Sequence, residues 1–202
     1  MRVVILTASA MTKEIDGTEY SGKCITALSL ESNRILRFVK NQEGAPIGNP
    51  YCNRFHPLDV FEIAILKACP MLCQTENVLV DYYKAEYVGQ YGGTIEDLFN
   101  RFQNAVSERN SFLWDSFHKL DDVSDYHHSL EMIRVDNLVI VGNKCEFYYR
   151  RRQYKYFSLT DTRYKQDPGE QRQIGSAILA VSIPTNDYMG SYYKFVASIY
   201  PI

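Results

Sequence analysis

At 202 residues the chain is long enough for one large domain or two small ones with a sizeable core. Its 46% hydrophobic and 23% charged residues exclude the disordered and collagen-like classes. A formal net charge of −2 excludes a wholesale polycation, so any affinity for nucleic acid or membrane must come from a local patch.

The opening RVVILTAS (Arg2 to Ser9) is a β-branched run that reads as a buried strand, and MTKEIDGTEYSGK after it reads as a polar loop. No signal-peptide h-region or cleavage context follows. CITALSL and ILRFV form a strand pair about ESNR, where Asn33 tolerates the left-handed conformation of a tight hairpin. GAPIGNPYCNRFHP is a long loop by its Gly, Pro and Asn content. LDVFEIAIL and QTENVLVDY read as further strands, so residues 1–91 predict a small closed or nearly closed β-barrel.

The pattern changes at Gly92-Gly93. Thr94 and Asp97 have the spacing of a capping box, and Ile95, Leu98, Phe99, Phe102 and Val106 recur at helical spacing. Ser111 to Leu120 is expected to add a second helical piece through Leu113, Trp114, Phe117 and Leu120, making 92–128 a helical connection. Strands resume in LEMIRVDNLVIVGN, KCEFYYR and QYKYFSL, with Cys145, Phe147 and Tyr149 facing one way and Glu146, Tyr148 and Arg150 the other. SAILAVSI and YYKFVASIY close a second barrel over 129–202, and their loop-and-strand pattern faintly echoes the chain's first two strands. No apolar stretch approaches the roughly 20 residues that span a bilayer. Five widely spaced cysteines fit reduced thiols, so the expected setting is cytoplasmic, without membrane contact.

ILTAS, GKCITALSLESNRILRFV, HPLDVFEI, QTENVLVD, SLTDTRY and YYKFVASI together resemble a family of bacterial proteins described as a dual OB-containing domain. The resemblance covers most of the chain outside its helical middle. It implies a mainly β protein of two OB-like barrels joined by a helical segment, and brings no established activity with it. Barrels of this class often bind single-stranded nucleic acid or small ligands, but fold alone does not fix function.

Phe147 to Tyr164 is the strongest binding candidate. Arg150, Arg151, Arg152, Lys155, Arg163 and Lys165 could neutralise phosphates, while Tyr148, Tyr154, Tyr156 and Tyr164 could stack bases. The same residues also suit an ordinary hairpin with a charged, solvated outer face. Asp161 could turn the backbone through its side chain or present a carboxylate beside Arg163; the turn is favoured, because a lone aspartate has no partner for acid–base work. Lys13, Tyr20, Lys23 and Arg37 form a secondary candidate surface at one mouth of the first barrel.

Cys52, His56, Cys69 and Cys73 have a spacing that tetrahedral zinc could use, although core thiols explain the same letters, and no metal or cofactor is expected. His127-His128 reads as an exposed linker, and Cys24 as an inert buried thiol. No nucleophile elbow, P-loop, dinucleotide fingerprint or HExxH motif is present. The expectation is therefore a non-enzymatic binding protein for single-stranded nucleic acid or a nucleotide. A protein-interaction module and a zinc enzyme with a composite site are the alternatives.

Overall fold

The computed structural model describes residues 1–103, 112–113 and 118–202. The first unit contains β1 (Arg2–Ile15), β2 (Thr18–Ser29), β3 (Ile35–Val39), β4 (Asp59–Glu62), β5 (Ile65–Ala68), β6 (Asn77–Val80) and β7 (Glu86–Gln90). The second holds β9 (Leu130–Val141), β10 (Lys144–Tyr149), β11 (Arg152–Leu159), β12 (Gln171–Ser182) and β14 (Phe195–Pro201). Between them lies α1 (Ile95–Gln103), while β8 (Lys119–Leu120) pairs with β13 (Tyr192–Tyr193).

The second unit is a closed barrel in the order β10-β11-β14-β12-β9, with the β11–β14 pair parallel and its other pairs antiparallel. The first repeats that connectivity. β1, β2 and β3 run antiparallel in sequence, and β3 lies parallel to β6. β4 and β5 are the two halves of one strand broken at Ile63-Ala64: β4 pairs with β1 at one end of the sheet and β5 with β6 at the other. The sheet therefore curls round on itself in the same strand order as the second barrel, and β7 adds an edge strand beside β4.

The polar stretch expected to be a loop after Ser9 is instead a long two-stranded arm. β1 continues to Ile15 and β2 starts at Thr18, with Asp16 and Gly17 both at positive φ (48° and 73°). An Asp-Gly pair at those angles makes the two-residue turn whose twist matches flanking strands. Asn33 takes the left-handed conformation expected of it (φ 53°).

The start of β1, Val3 to Leu6, is apolar residue after residue because both its faces are covered. Val3 and Ile5 point into the first barrel, while Val4 and Leu6 join Leu130, Met132, Ile178 and Tyr200 in a second apolar cluster between the barrels. β12 does the same from the other side, with Leu179 and Val181 in its own barrel and Ile178 in the interface. The echo between the chain's ends therefore reflects shared two-sided burial. In barrel order β1 is a first strand and β12 a fourth, so the two are not equivalent positions.

α1 starts at the capping box the sequence predicts. The Thr94 amide donates to Asp97 Oδ2 at 2.7 Å and the Asp97 amide to Thr94 Oγ1 at 3.1 Å. Leu98 and Phe99 enter the interbarrel cluster, and Glu96 pairs with Arg134 of β9 at 2.7 Å. Leu120, expected in a helix, lies in strand β8 instead. Val106, Ser111, Trp114, Phe117 and the Phe102 side chain lie outside the described residues. No helix among the described residues is long and apolar enough to cross a membrane.

Candidate functional site

Phe147 to Tyr164 spans the β10–β11 hairpin and the segment leaving it. These are the second and third strands of the closed barrel. Their outer face, flanked by the loops after the first and fourth strands, is where barrels of this class take oligonucleotides and oligosaccharides.

The hairpin turns at Arg150-Arg151, both exposed and at positive φ (48° and 69°). Within β11 the inside–outside alternation breaks once. Phe147 pairs with Tyr154 and Cys145 with Phe157, so Lys155 and Tyr156 together face Glu146 alone. That bulge, with Tyr156 at φ 64°, turns both side chains outward. Tyr156 is 68% exposed and Tyr148 37%, while Lys155 reaches Glu146 at 3.9 Å. A bulky residue at positive φ is a strained choice and marks this strand segment for attention.

Tyr154 needs correcting as a stacking platform. It is 4% exposed and lies in the barrel core, stacked on Phe147 with ring centroids 5.6 Å apart. Its inward position leaves Tyr148 and Tyr156 as the exposed rings of the pair of strands.

Beside this face the loop after β12 folds back over the barrel. Lys144, Ser158, Tyr188, Tyr193 and Phe195 line an open groove of about 450 Å³. Lys144 Nζ donates to Ser158 Oγ at 2.8 Å across its floor, and the Tyr188 and Tyr193 rings meet edge-on at 6.3 Å. Thr160, Pro184 and Phe195 also line a narrower cleft of about 200 Å³ that runs between the barrels to Lys13, Gln74 and Asn186. Tyr188 and Tyr193 were not singled out by sequence. Their signal was an aromatic-rich loop between the fourth and fifth strands, legible only once strand order is known.

Asp161 does what the turn reading expects. It is 4% exposed and accepts from the Arg163 amide (3.1 Å), Arg163 Nε (3.0 Å), Arg163 Nη2 (2.7 Å) and the Ile199 amide (2.9 Å). Burial works against the Arg163 charge, but the Asp161 hydrogen bonds and carboxylate outweigh it and hold that guanidinium above its usual range. The Arg163 guanidinium also lies over the Tyr164 ring at 5.4 Å, and Arg172 approaches the same ring at 5.2 Å.

The secondary set does not gather at one mouth of the first barrel. Arg37 is 3% exposed and spans the barrels: its Nη2 donates to Ser129 Oγ (2.7 Å) and Ser182 Oγ (2.9 Å) and faces Glu76 Oε1 at 3.3 Å, while Nη1 donates to Cys24. Lys13 is also buried, with its ammonium on the Glu43 carbonyl at 2.7 Å; burial lowers its pKa against the pull of Glu43. Tyr20 is half-buried beneath Lys40 at 5.5 Å. Lys23 lines a different cavity, described below.

The zinc alternative fails on placement. Cys52 belongs to the first barrel's core and Cys73 to the second's, and among the described residues no group of three or more His, Cys, Asp or Glu could hold a metal. All five cysteines are buried free thiols, Cys24 included. His128 is half-buried with Nε2 2.8 Å from Glu131 Oε1, so the His127-His128 pair is not wholly an exposed linker.

Two barrels of one connectivity, packed through a shared apolar interface, define a tandem OB-type protein. The chain belongs to the family described as a dual OB-containing domain, whose pattern matches residues 1–199. No curated protein matches it. Among solved structures, a murine DNA-binding protein bound with double-stranded DNA is similar at 8% identity and a TM-score of 0.35, over 100% of this chain and 98% of that one. Likeness at that level carries no argument about what this chain binds.

Proposed function

We propose that the chain binds single-stranded nucleic acid along the outer face of β10–β11 and the groove under Tyr188 and Tyr193. The observation that carries this reading is the bulge at Lys155-Tyr156, which sets a cation and an aromatic ring side by side on the outer β10–β11 face of a closed barrel. Charge supports it. From Lys144 to Arg172 there are eight basic and four acidic residues, in a chain whose formal net charge is −2. Arg150, Arg151, Arg152 and Lys155 would neutralise phosphates, and Tyr148, Tyr156, Tyr188 and Tyr193 would stack bases, each worth about 1–3 kcal/mol.

Fluorescence anisotropy with labelled single strands across a salt series tests this. The informative variant is Arg150→Asn/Arg151→Gly, because Asn-Gly keeps the positive-φ turn while removing both charges. With a slope of about −0.7 per neutralised phosphate on a single strand, that variant should flatten the log K against log salt plot by about 1.4. Salt-independent affinity, or no complex at about 0.1 mM protein, where even non-specific binding is expected, overturns the reading.

A protein partner is the second reading, carried by β7. It is an edge strand with Tyr87 55% and Val88 48% exposed, the kind of edge to which another chain's strand can add. Co-purification of a stoichiometric protein without nucleic acid would favour it.

A further inference from the structure

On the opposite side of the β1–β2 arm from the interbarrel cleft lies a second cavity of about 190 Å³, also built from both barrels. Cys24 and Thr160 line the cleft while their neighbours Lys23 and Asp161 line this cavity, as expected where successive residues point to opposite faces. His56, Thr162, Arg163 and Ser198 complete its polar lining.

Two features of this lining call for an anion. The Lys23 ammonium and the His56 ring make no hydrogen bond or ion pair among the described residues. Arg163 spends Nε and Nη2 on Asp161 and the Ile199 carbonyl, leaving Nη1 uncommitted. Ser198 is 1% exposed, and its hydroxyl lies beside the Tyr200 hydroxyl, which donates to the Leu6 carbonyl and keeps lone pairs that accept from Ser198. The Asp161 carboxylate does not oppose an anion strongly, because four donors already surround it.

We propose that this cavity is a phosphate site, taking inorganic phosphate or a phosphate monoester such as a nucleotide's 5′-phosphate. Lys23 and Arg163 would supply charge, with His56 donating a further hydrogen bond. A group with three terminal oxygens and close to two negative charges uses this many convergent donors better than a carboxylate does. The site is separate from the β10–β11 face and does not depend on it.

Calorimetric titration of the whole chain with inorganic phosphate, at ionic strength fixed with chloride, is the test. Saturable binding in the millimolar range or tighter is expected, weakened about tenfold in Lys23→Met. His56→Ala provides a crossed control: the ring is exposed, so the variant should be as stable as the parent without phosphate, yet bind phosphate more weakly. Dinucleotides with and without a 5′-phosphate identify the source. A Lys23-dependent preference for the phosphorylated one assigns a strand end or nucleotide, and phosphate binding without that preference assigns the free anion. If neither probe binds saturably, or Lys23→Met binds as the parent does, the site is overturned. With strands lacking a terminal phosphate used for the salt series, either proposal can fail while the other stands.

Discussion

Replacing Arg37 by methionine should destabilise the protein out of proportion to the volume lost. Its side chain is 4% exposed and that of its partner Glu76 is 7%. Methionine would leave the Glu76 carboxylate buried beside Ser129 with no cation, while Glu76 Oε2 already lacks a hydrogen-bond partner. Breaking a buried pair from one side costs about 3–5 kcal/mol, because the remaining charge is uncompensated. The Ser182 hydroxyl would also lose its donor. Urea unfolding followed by far-ultraviolet circular dichroism measures the loss, and Arg37→Met/Glu76→Gln provides the second arm. With no charge left to strand, the double variant should recover about 1–3 kcal/mol of what the single loses. A loss below about 1 kcal/mol for Arg37→Met, the scale of an exposed pair, would refute the claim that this pair is buried. So would a double variant no more stable than the single.

Tyr156 separates stability from binding: Tyr156→Gly should be more stable than Tyr156→Ala by about 1 kcal/mol, since only glycine accepts φ 64° freely. Both should lose oligonucleotide affinity by roughly 5- to 150-fold, and equal stabilities measured by urea melts would remove the strain argument. Burial pushes the Cys73 thiol up to about 11 and the Cys145 thiol to about 12, from an ordinary 9.0. Between pH 9 and those values the folded chain holds protons that the unfolded chain has released, so stability is full below pH 9 and falls as pH rises through that window. A melting temperature flat from pH 8.5 to about 11 would contradict this.

The regular pattern of the sequence was legible wherever burial is local. Cys145, Phe147 and Tyr149 point inward as their alternation implies, and the Thr94–Asp97 cap forms as its spacing implies. What stayed hidden depended on something outside the window. Arg37 sits on the outward face of β3, where a basic residue reads as solvated, and Ser129 and Ser182 of the other barrel close over it beside Cys24 and Glu76 of its own. Tyr154 and Tyr156 share a parity, yet one is core and the other surface, because a single bulge lies between them. The Asp16-Gly17 turn was visible in principle, but polar strand residues around it read as loop without a partner strand to pair them.

The clefts built from both barrels depend on the same packing. The interbarrel cleft takes Gln74 from one barrel and Asn186 from the loop of the other, and the phosphate cavity takes Lys23 from one and Arg163 from the other. Val4, Leu6, Met132, Ile178 and the α1 residues Leu98 and Phe99 hold the barrels in one register, and separating them would expose all six to water. Geometry held this way is set before a ligand arrives, so little ordering cost is left to binding. It follows that a change in the interface, such as Met132→Ala, should disturb the phosphate cavity through the spacing of Lys23 and Arg163, while the β10–β11 face, built from the second barrel alone, keeps its geometry.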